Sequence, residues 1–277
     1  VVLTHYFVQP VCSPTRATFA TGRHVIHTGV YDPMNGGTGD LSRNFSLWST
    51  GFKKLGYSTH AVGKWHLGMS SWRFTPLERD FDTYFGFLDG GEDHWTHGGG
   101  GKLDLWDGKT PVTNSSCPLR ANQNSCPVKY FSETLFSDRA VEVLHSVAND
   151  DAPFFMYLAY QLVHSPDQAP QALIDSFNAT VPNAHRRVFA AMVTALDNGV
   201  GAVARALTDT GAFDDTVLVF SADNGGPADN FNSNMACNWP LRGMKRTLFE
   251  GGVRAVGFIR GPGLEAARMA KGYVHAA

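Results

Sequence analysis

The clearest periodicity in the chain runs from Arg186 to Leu207, where Phe189, Met192, Val193, Leu196, Val200, Val203 and Leu207 recur at intervals of three and four. That spacing lines apolar side chains along one face and predicts an amphipathic helix. Leu135, Ala140, Val143, Leu144 and Val147 predict a second helix from about Glu133 to Val147, and Phe45, Leu47, Trp48, Phe52 and Leu55 a third over 45–56. The remaining apolar runs are of strand length: Tyr57–Val62, Phe154–Tyr160 and Thr216–Ser221, the last read as fully buried. Helices alternating with near-continuous apolar strands predict an α/β domain with a mostly parallel sheet covered on both faces. Ligands of such sheets bind beyond the carboxyl ends of the strands, so chemistry is expected just after these three runs.

Each run is followed by suitable residues. After Val62 comes Gly63-Lys64-Trp65-His66-Leu67-Gly68, a cation and an imidazole in a glycine-bracketed loop. After Tyr160 comes Gln161-Leu162-Val163-His164-Ser165-Pro166, and the third run ends in Asp223-Asn224-Gly225-Gly226, a carboxylate and an amide oxygen of the kind a hard cation takes. Taken singly these have plainer readings. Asn-Gly is a common turn pair, and a lone His66 or His164 is often a satisfied structural histidine. His94 and His97 follow Glu92-Asp93 and read as part of a loop that shapes a pocket without binding metal; His24 and His27 read as packing or surface, and Tyr84, Phe85 and Phe87 as core.

Composition narrows the classes. With 43% hydrophobic and 12% aromatic residues in 277, the chain can bury a substantial core, which excludes disorder as the main state. Its 23 basic and 25 acidic side chains leave a net charge of -2, without the excess of Lys and Arg that nucleic acid or an anionic membrane surface attracts. No apolar run approaches the roughly 18 residues of a membrane span. The 29 Gly and 14 Pro predict long loops, where sites are commonly built. Cys117 and Cys126 enclose eight residues of a polar segment and are expected to form a disulfide. Three sequons, at Asn44, Asn114 and Asn178, point with it to the secretory route, secreted or lysosomal. Cys237 has no evident partner. No initiator Met or signal-like segment precedes Val1, so any targeting segment is expected upstream.

Val11-Cys12-Ser13-Pro14-Thr15-Arg16-Ala17-Thr18-Phe19-Ala20-Thr21-Gly22-Arg23 carries the most specific signal. Ser13 as cap and Pro14 as first residue would start a helix, leaving Cys12 at its positive end with Arg16 one turn on, a natural anion site. Three residues between Cys and Arg, rather than five, exclude the tyrosine-phosphatase loop. The pattern Cys12-x-Pro14-x-Arg16-x4-Thr21-Gly22 resembles the sulfatase signature. The likeness continues through 63–68, Phe81–Phe87, 221–226, Asn238–Lys245 and Glu250–Arg254, the last two most similar to the arylsulfatase B branch.

The resemblance implies an alkaline-phosphatase-like α/β sandwich with a mostly parallel central sheet and helices on both faces. It also implies a sulfuric ester hydrolase acting on a sulfated carbohydrate or aryl sulfate. Cys12 would be oxidised by the formylglycine-generating enzyme to formylglycine, whose hydrate is the nucleophile. Arg16 and His66 would hold and deprotonate it, while Lys64, Lys245 and His164 would neutralise sulfate oxygens, His164 also serving as acid for the leaving alcohol. Asp223 and Asn224, with the converted Cys12, would bind one divalent cation, Ca2+ by its oxygen ligands. For Lys245 an ordinary solvated basic run, Arg242 to Arg246, is the competing reading.

Two departures stand out. Thr15 occupies a position where relatives carry Ser. The family's adjacent acidic pair, which completes its metal shell, has no counterpart: Asp150-Asp151 and Asp214-Asp215 precede strands and Glu92-Asp93 lies in a loop. Residues 1–277 are therefore expected to be a partial catalytic domain whose first strand with its acids precedes Val1 and whose smaller C-terminal subdomain follows Ala277. The alternatives are a non-catalytic sulfated-glycan-binding relative, and a phosphatase or phosphodiesterase of the same superfamily.

Overall fold

A computed structural model describes residues 1–99, 102–113, 130–229, 232–264 and 269–276. They form two compact units, one comprising Val1–Pro33, Leu41–Trp48 and Ala204–Ala277, the other Met34–Asp40 and Ser49–Val203. In chain order the elements are β1 (Val2–Phe7), α1 (Cys12–Thr21), α2 (Val25–Thr28), α3 (Trp48–Lys54), β2 (Ser58–Lys64), β3 (Thr83–Phe87), the short β4 (Gly98–Gly99), β5 (Lys102–Leu103), β6 (Trp106–Asp107) and β7 (Thr110–Pro111). Then follow α4 (Ser132–Val147), β8 (Phe154–Ala159), α5 (Gln171–Asp175), α6 (Ala184–Asp209), β9 (Leu218–Ser221), α7 (Glu250–Val253), β10 (Gly257–Arg260) and β11 (Met269–His275).

The first unit contains a four-stranded sheet in the order β11-β1-β10-β9. β1, an element the sequence pattern did not reveal, pairs parallel with β11 and antiparallel with β10. Leu3, Tyr6, Val8 and Ala255 form its apolar cluster, and the Tyr6 hydroxyl lies 2.7 Å from Ser221 Oγ. β9 is half exposed rather than fully buried: it ends the sheet order, and Val219 keeps 51% of its surface. An apolar run alone does not distinguish a central strand from one at a sheet's end.

In the second unit the order is β7-β6-β3-β2-β8. β2 is parallel to β3, with His60 opposite Thr83 and Lys64 opposite Phe87, and parallel to β8, with Gly63 opposite Ala159. These registers bring the carboxyl ends of β2, β3 and β8 to one edge; of the three runs expected to end in site residues, Tyr57–Val62 and Phe154–Tyr160 meet there, whereas Thr216–Ser221 forms β9 in the other sheet. The strands approach closely there: a Cβ on Gly63, whose φ is +95°, would lie 2.1 Å from the Ala159 carbonyl oxygen. Val62, Phe85, Phe87, Leu105, Leu135 and Phe136 fill one core cluster; Phe131, Leu162, Ala191, Met192 and Ala195 fill another, behind the loop after β8.

The architecture is α/β, but its sheets are mixed: antiparallel pairs at β1–β10, β9–β10, β3–β6 and β6–β7 accompany the parallel ones. The α4 and α6 helices fall within two residues of their predicted bounds. The helix predicted over 45–56 is confined to Trp48–Lys54, because Gly56 with φ +85° stops it and Leu55 is left 74% exposed. Asn44 and Asn178 are exposed, and Cys237 carries a free, exposed thiol. Cys117, Cys126 and Asn114 lie outside the described residues. Among the described residues no helix is long and apolar enough to cross a membrane.

Candidate active site

The helix of the cysteine motif begins two residues earlier than predicted. Val11 is its extended N-cap and Cys12 its first residue, so Ser13 lies inside the first turn, fully buried, and no side chain caps the helix. Pro14, third in the helix, still falls where an amide hydrogen would lack a helical partner. Thr15, the departure from the family pattern, secures the approach: its Oγ1 accepts from Gln9 N at 3.0 Å and is 3.3 Å from Val11 O.

Cys12 thus stands at the positive end of a ten-residue helix. Its buried thiol donates to Asn224 Oδ1 at 3.3 Å, and Asn224 Nδ2 donates to Gly225 O at 2.9 Å, which turns the amide oxygen toward sulfur. One turn on, Arg16 Nε and Nη2 each approach Asp223 Oδ2 at 3.0 Å, with the side chains 8% and 28% exposed. The Asp223-Asn224 segment is more than a turn, since both side chains engage the cysteine helix. Lys245 is buried at 7% exposure, whereas Arg242 and Arg246 are exposed, so the solvated-run reading fails for Lys245 itself. Its amide donates to Gly226 O at 3.3 Å. Asn238, which motif reasoning gave no role, clamps the same place, accepting from Gly226 N at 3.0 Å and donating to Gly226 O and Gly243 O at 2.8 and 3.2 Å.

Asp223 and Asn224 present the hard oxygen donors a divalent cation prefers, but only as part of a shell, because calcium takes six to eight. No group of three or more His, Cys, Asp or Glu side chains suited to a metal ion occurs among the described residues.

Lys64, His66 and His164 belong to the second unit. Lys64 ends β2 and is 2% exposed. His66, also 2% exposed, has φ +56°, a left-handed backbone that costs a non-glycine residue about 1 kcal/mol. Its Nε2 lies 2.9 Å from Asn35 Oδ1. Asn35 was missed because it sits in an irregular glycine-rich stretch. Gly90 packs under this pair, with a Cβ there falling 2.6 Å from Asn35 Oδ1 and 2.8 Å from the His66 ring, while Gly91 lies against the His164 ring. The dipeptide Gly90-Gly91 therefore sets His66 and His164 on one floor. His164 Nδ1 donates to Ser165 O at 2.7 Å.

Behind His164 lies a buried polar network. Glu92, His94 and His97 are 2%, 0% and 0% exposed. Burial raises Glu92 to a pKa of about 7 and lowers His94 to about 4, so His94 is neutral at physiological pH. Glu92 Oε1 lies 3.1 Å from His97 Nδ1, and His97 Nε2 donates to Tyr130 O at 3.0 Å. Both nitrogens of the His97 ring are thus engaged within the loop. His24 is exposed and caps α2, and Tyr84, Phe85 and Phe87 are core.

With this geometry in view, the whole sequence, residues 1–277, matches the family described as Sulfatase. The chain belongs to the sulfatase family. Arylsulfatase J of Mus musculus is 36% identical over 269 residues, which cover 95% of this chain and 42% of that protein. The chain spans about half the length of the curated relatives it matches. The crystal structure of Ps i-CgsB in complex with k-i-k-neocarrahexaose superposes with a TM-score of 0.84 at 29% identity, covering 99% of this chain and 61% of that one. Phosphonate monoester hydrolase of Agrobacterium radiobacter shares the fold, with a TM-score of 0.61 at 18% identity over 99% of this chain and 64% of its own.

Proposed function

We propose that this protein is a sulfatase that hydrolyses a sulfate ester of a sugar or aryl alcohol, and that Cys12, converted to formylglycine, provides the nucleophile. The observation that carries the reading is the placement of Cys12 at the positive end of α1, its thiol on Asn224 and Arg16 one turn on against Asp223. An anion is favoured at such a terminus. Asp223 and Asn224 would hold part of the shell of a divalent cation, Ca2+ by its donors, whose chemistry when bound is to polarise a sulfate oxygen.

The chain's own residues supply the rest. Arg16 orients the group at position 12, and His66 takes its proton, with Nε2 fixed by Asn35. Lys64 and Lys245, each buried in its own unit, are the cations that would neutralise the sulfate oxygens. His164, with Nδ1 committed to Ser165 O, protonates the leaving oxygen through Nε2. The saccharide bound by Ps i-CgsB supports a sugar alcohol as leaving group. Exposed sequons at Asn44 and Asn178 support passage through the secretory pathway, to the lysosome or outside the cell, where the formylglycine-generating enzyme would be met.

The first test is the mass of the tryptic peptide ending at Arg16, from protein made in a secretory host. A loss of roughly 18 Da at Cys12 relative to the free thiol marks the aldehyde. An unmodified thiol from a host that converts other sulfatases overturns the reading and leaves a non-catalytic binder of sulfated glycans.

A further inference from the structure

His94 uses every hydrogen-bonding group it has, and all of them join the loop after β3 to the loop that carries His164 or to the start of α4. Its amide donates to Gln168 Oε1 at 2.9 Å and its carbonyl accepts from Ser132 N at 2.9 Å. On the ring, Nδ1 meets Ser132 Oγ at 2.6 Å and Nε2 lies 3.1 Å from the His164 carbonyl oxygen. A carbonyl oxygen only accepts, so the His164 contact puts the hydrogen on Nε2 and leaves Nδ1 to accept from the serine hydroxyl; Gln161 Nε2, 3.2 Å from His94 Nε2, is then a packed neighbour whose hydrogen goes to Glu92 O. The side chain is fully buried against Phe131, ring centroids 5.2 Å apart. Gln161 reinforces the junction, its Oε1 accepting from Glu92 N at 2.8 Å, its Nε2 donating to Glu92 O at 2.5 Å, and its own carbonyl accepting from His164 N at 2.8 Å.

We propose that His94 is a positioning residue for His164, fixing through the His164 carbonyl where the imidazole presents Nε2 to the leaving oxygen. The inference rests on the reading of His164 as the acid. In that step a bond forms from the hydrate oxygen at position 12 to sulfur, the S–O bond to the leaving group breaks with its electron pair going to oxygen, and the proton on His164 Nε2 passes to that oxygen, leaving neutral imidazole. Misplacing the imidazole therefore matters in proportion to how much the leaving group needs the proton. A merely structural role for His94 would lower all substrates alike.

The test is a plot of kcat/KM against leaving-group pKa for the full-length protein, using aryl sulfates of increasingly basic phenols and an alkyl sulfate. His164→Gln is expected to lose about 10²- to 10⁴-fold on the most basic leaving groups and far less on activated ones. His94→Phe, which keeps ring and volume but not the bonds, is expected to steepen the plot in the same sense, losing about 10-fold at the basic end. His94→Gln, whose amide can still donate to the His164 carbonyl, should restore most of that loss. An unchanged slope in His164→Gln overturns the acid assignment, whatever His94 does. A steepened slope in His164→Gln with a parallel or unchanged line in His94→Phe overturns the present inference alone. Should His94→Phe fail to fold, Ser132→Ala, which removes only the acceptor-side bond, is expected to steepen the plot by a smaller factor, and an unchanged slope there overturns the inference.

Discussion

Around Cys12 the supporting groups are charged and partly open to water, whereas around His164 they are buried and held by hydrogen bonds. Arg16 and Asp223 hold each other at 3.0 Å with Asp223 28% exposed, while His94 and His97 are 0% exposed and bonded to hydroxyl, carbonyl and carboxyl groups. A charged pair at a helix terminus attracts an anion and tolerates its departure, which suits the place where sulfate is proposed to bind. A hydrogen-bonded network in a dry interior fixes geometry, which suits a proton donor whose position decides its effect. The two regions should therefore fail differently when cut.

The largest effect is expected at position 12. Cys12→Ser removes the convertible thiol and should reduce hydrolysis of an aryl sulfate by about 10⁴-fold or more. The thiol makes one weak hydrogen bond, so unfolding free energy should change by less than about 1 kcal/mol. Comparable activity of Cys12→Ser and the parent would remove Cys12 from the chemistry. Next comes Arg16→Met, which removes the guanidinium that faces Asp223 at 3.0 Å. Activity should fall about 10²- to 10³-fold. Stability should fall by about 2 kcal/mol, a buried-pair figure reduced for the exposure of Asp223. Adding Asp223→Asn should recover the stability measured in urea and none of the activity. Recovery of both would mean that the pair serves only the fold.

The buried region should show itself in pH dependence instead. Glu92 titrates at about 7 in the folded protein against 4.5 as an ordinary carboxyl. Between those values the folded state holds more protons, so this group's contribution declines as pH rises from 4.5 to 7. His94, lowered from 6.5 to about 4, acts in the opposite sense, its contribution growing from pH 4 to 6.5. Glu92→Gln removes the declining part and leaves the growing one. Relative to the parent, the variant should gain up to about 3 kcal/mol as pH rises from 4.5 to 7.5. Urea unfolding at four pH values tests this, and a stability difference that stays constant across the range would show that Glu92 does not titrate there.

The same contrast separates what could be read in the sequence from what could not. Cys12, Arg16, Lys64, His66, Asp223 and Asn224 lie in short motifs or at strand ends, where residue type and spacing carry the chemistry locally. α4 and α6 were legible because their buried faces repeat every three to four residues. β1 was not, since Val2-Leu3-Thr4-His5-Tyr6-Phe7 shows no clean alternation, and its partners β10 and β11 are more than 240 residues away. His94, Gln161 and Asn238 were given no supporting role for the same reason: each acts by a hydrogen bond to a backbone group on another loop, and no sequence interval encodes that. The missed cap at Ser13 is a local error, in which the preference for serine at an N-cap gave way to burial of the residue in the first turn.

Asn35 tests whether the contrast extends to single contacts. It lies in an exposed stretch, yet its Oδ1 meets Nε2 of the buried His66, and the adjacent Gly36 amide donates to both Asp89 carboxylate oxygens at 3.1 Å, which ties this loop to the Gly90 floor. Because water can reach Asn35, a solvent molecule can replace part of what Asn35→Ala removes, and the loss in kcat/KM should be only about 10-fold, smaller than at Cys12 or Arg16. Asn35→Asp keeps the acceptor and adds charge. A carboxylate beside the ring favours the imidazolium, so the acid limb of the kcat/KM profile should move to higher pH while the plateau approaches that of the parent. If His66 takes a proton from the group at position 12, that limb reports its neutral form and the shift must appear. A profile unmoved by Asn35→Asp would instead make His66 a fixed donor to sulfate, and would leave Arg16 as the residue controlling the nucleophile.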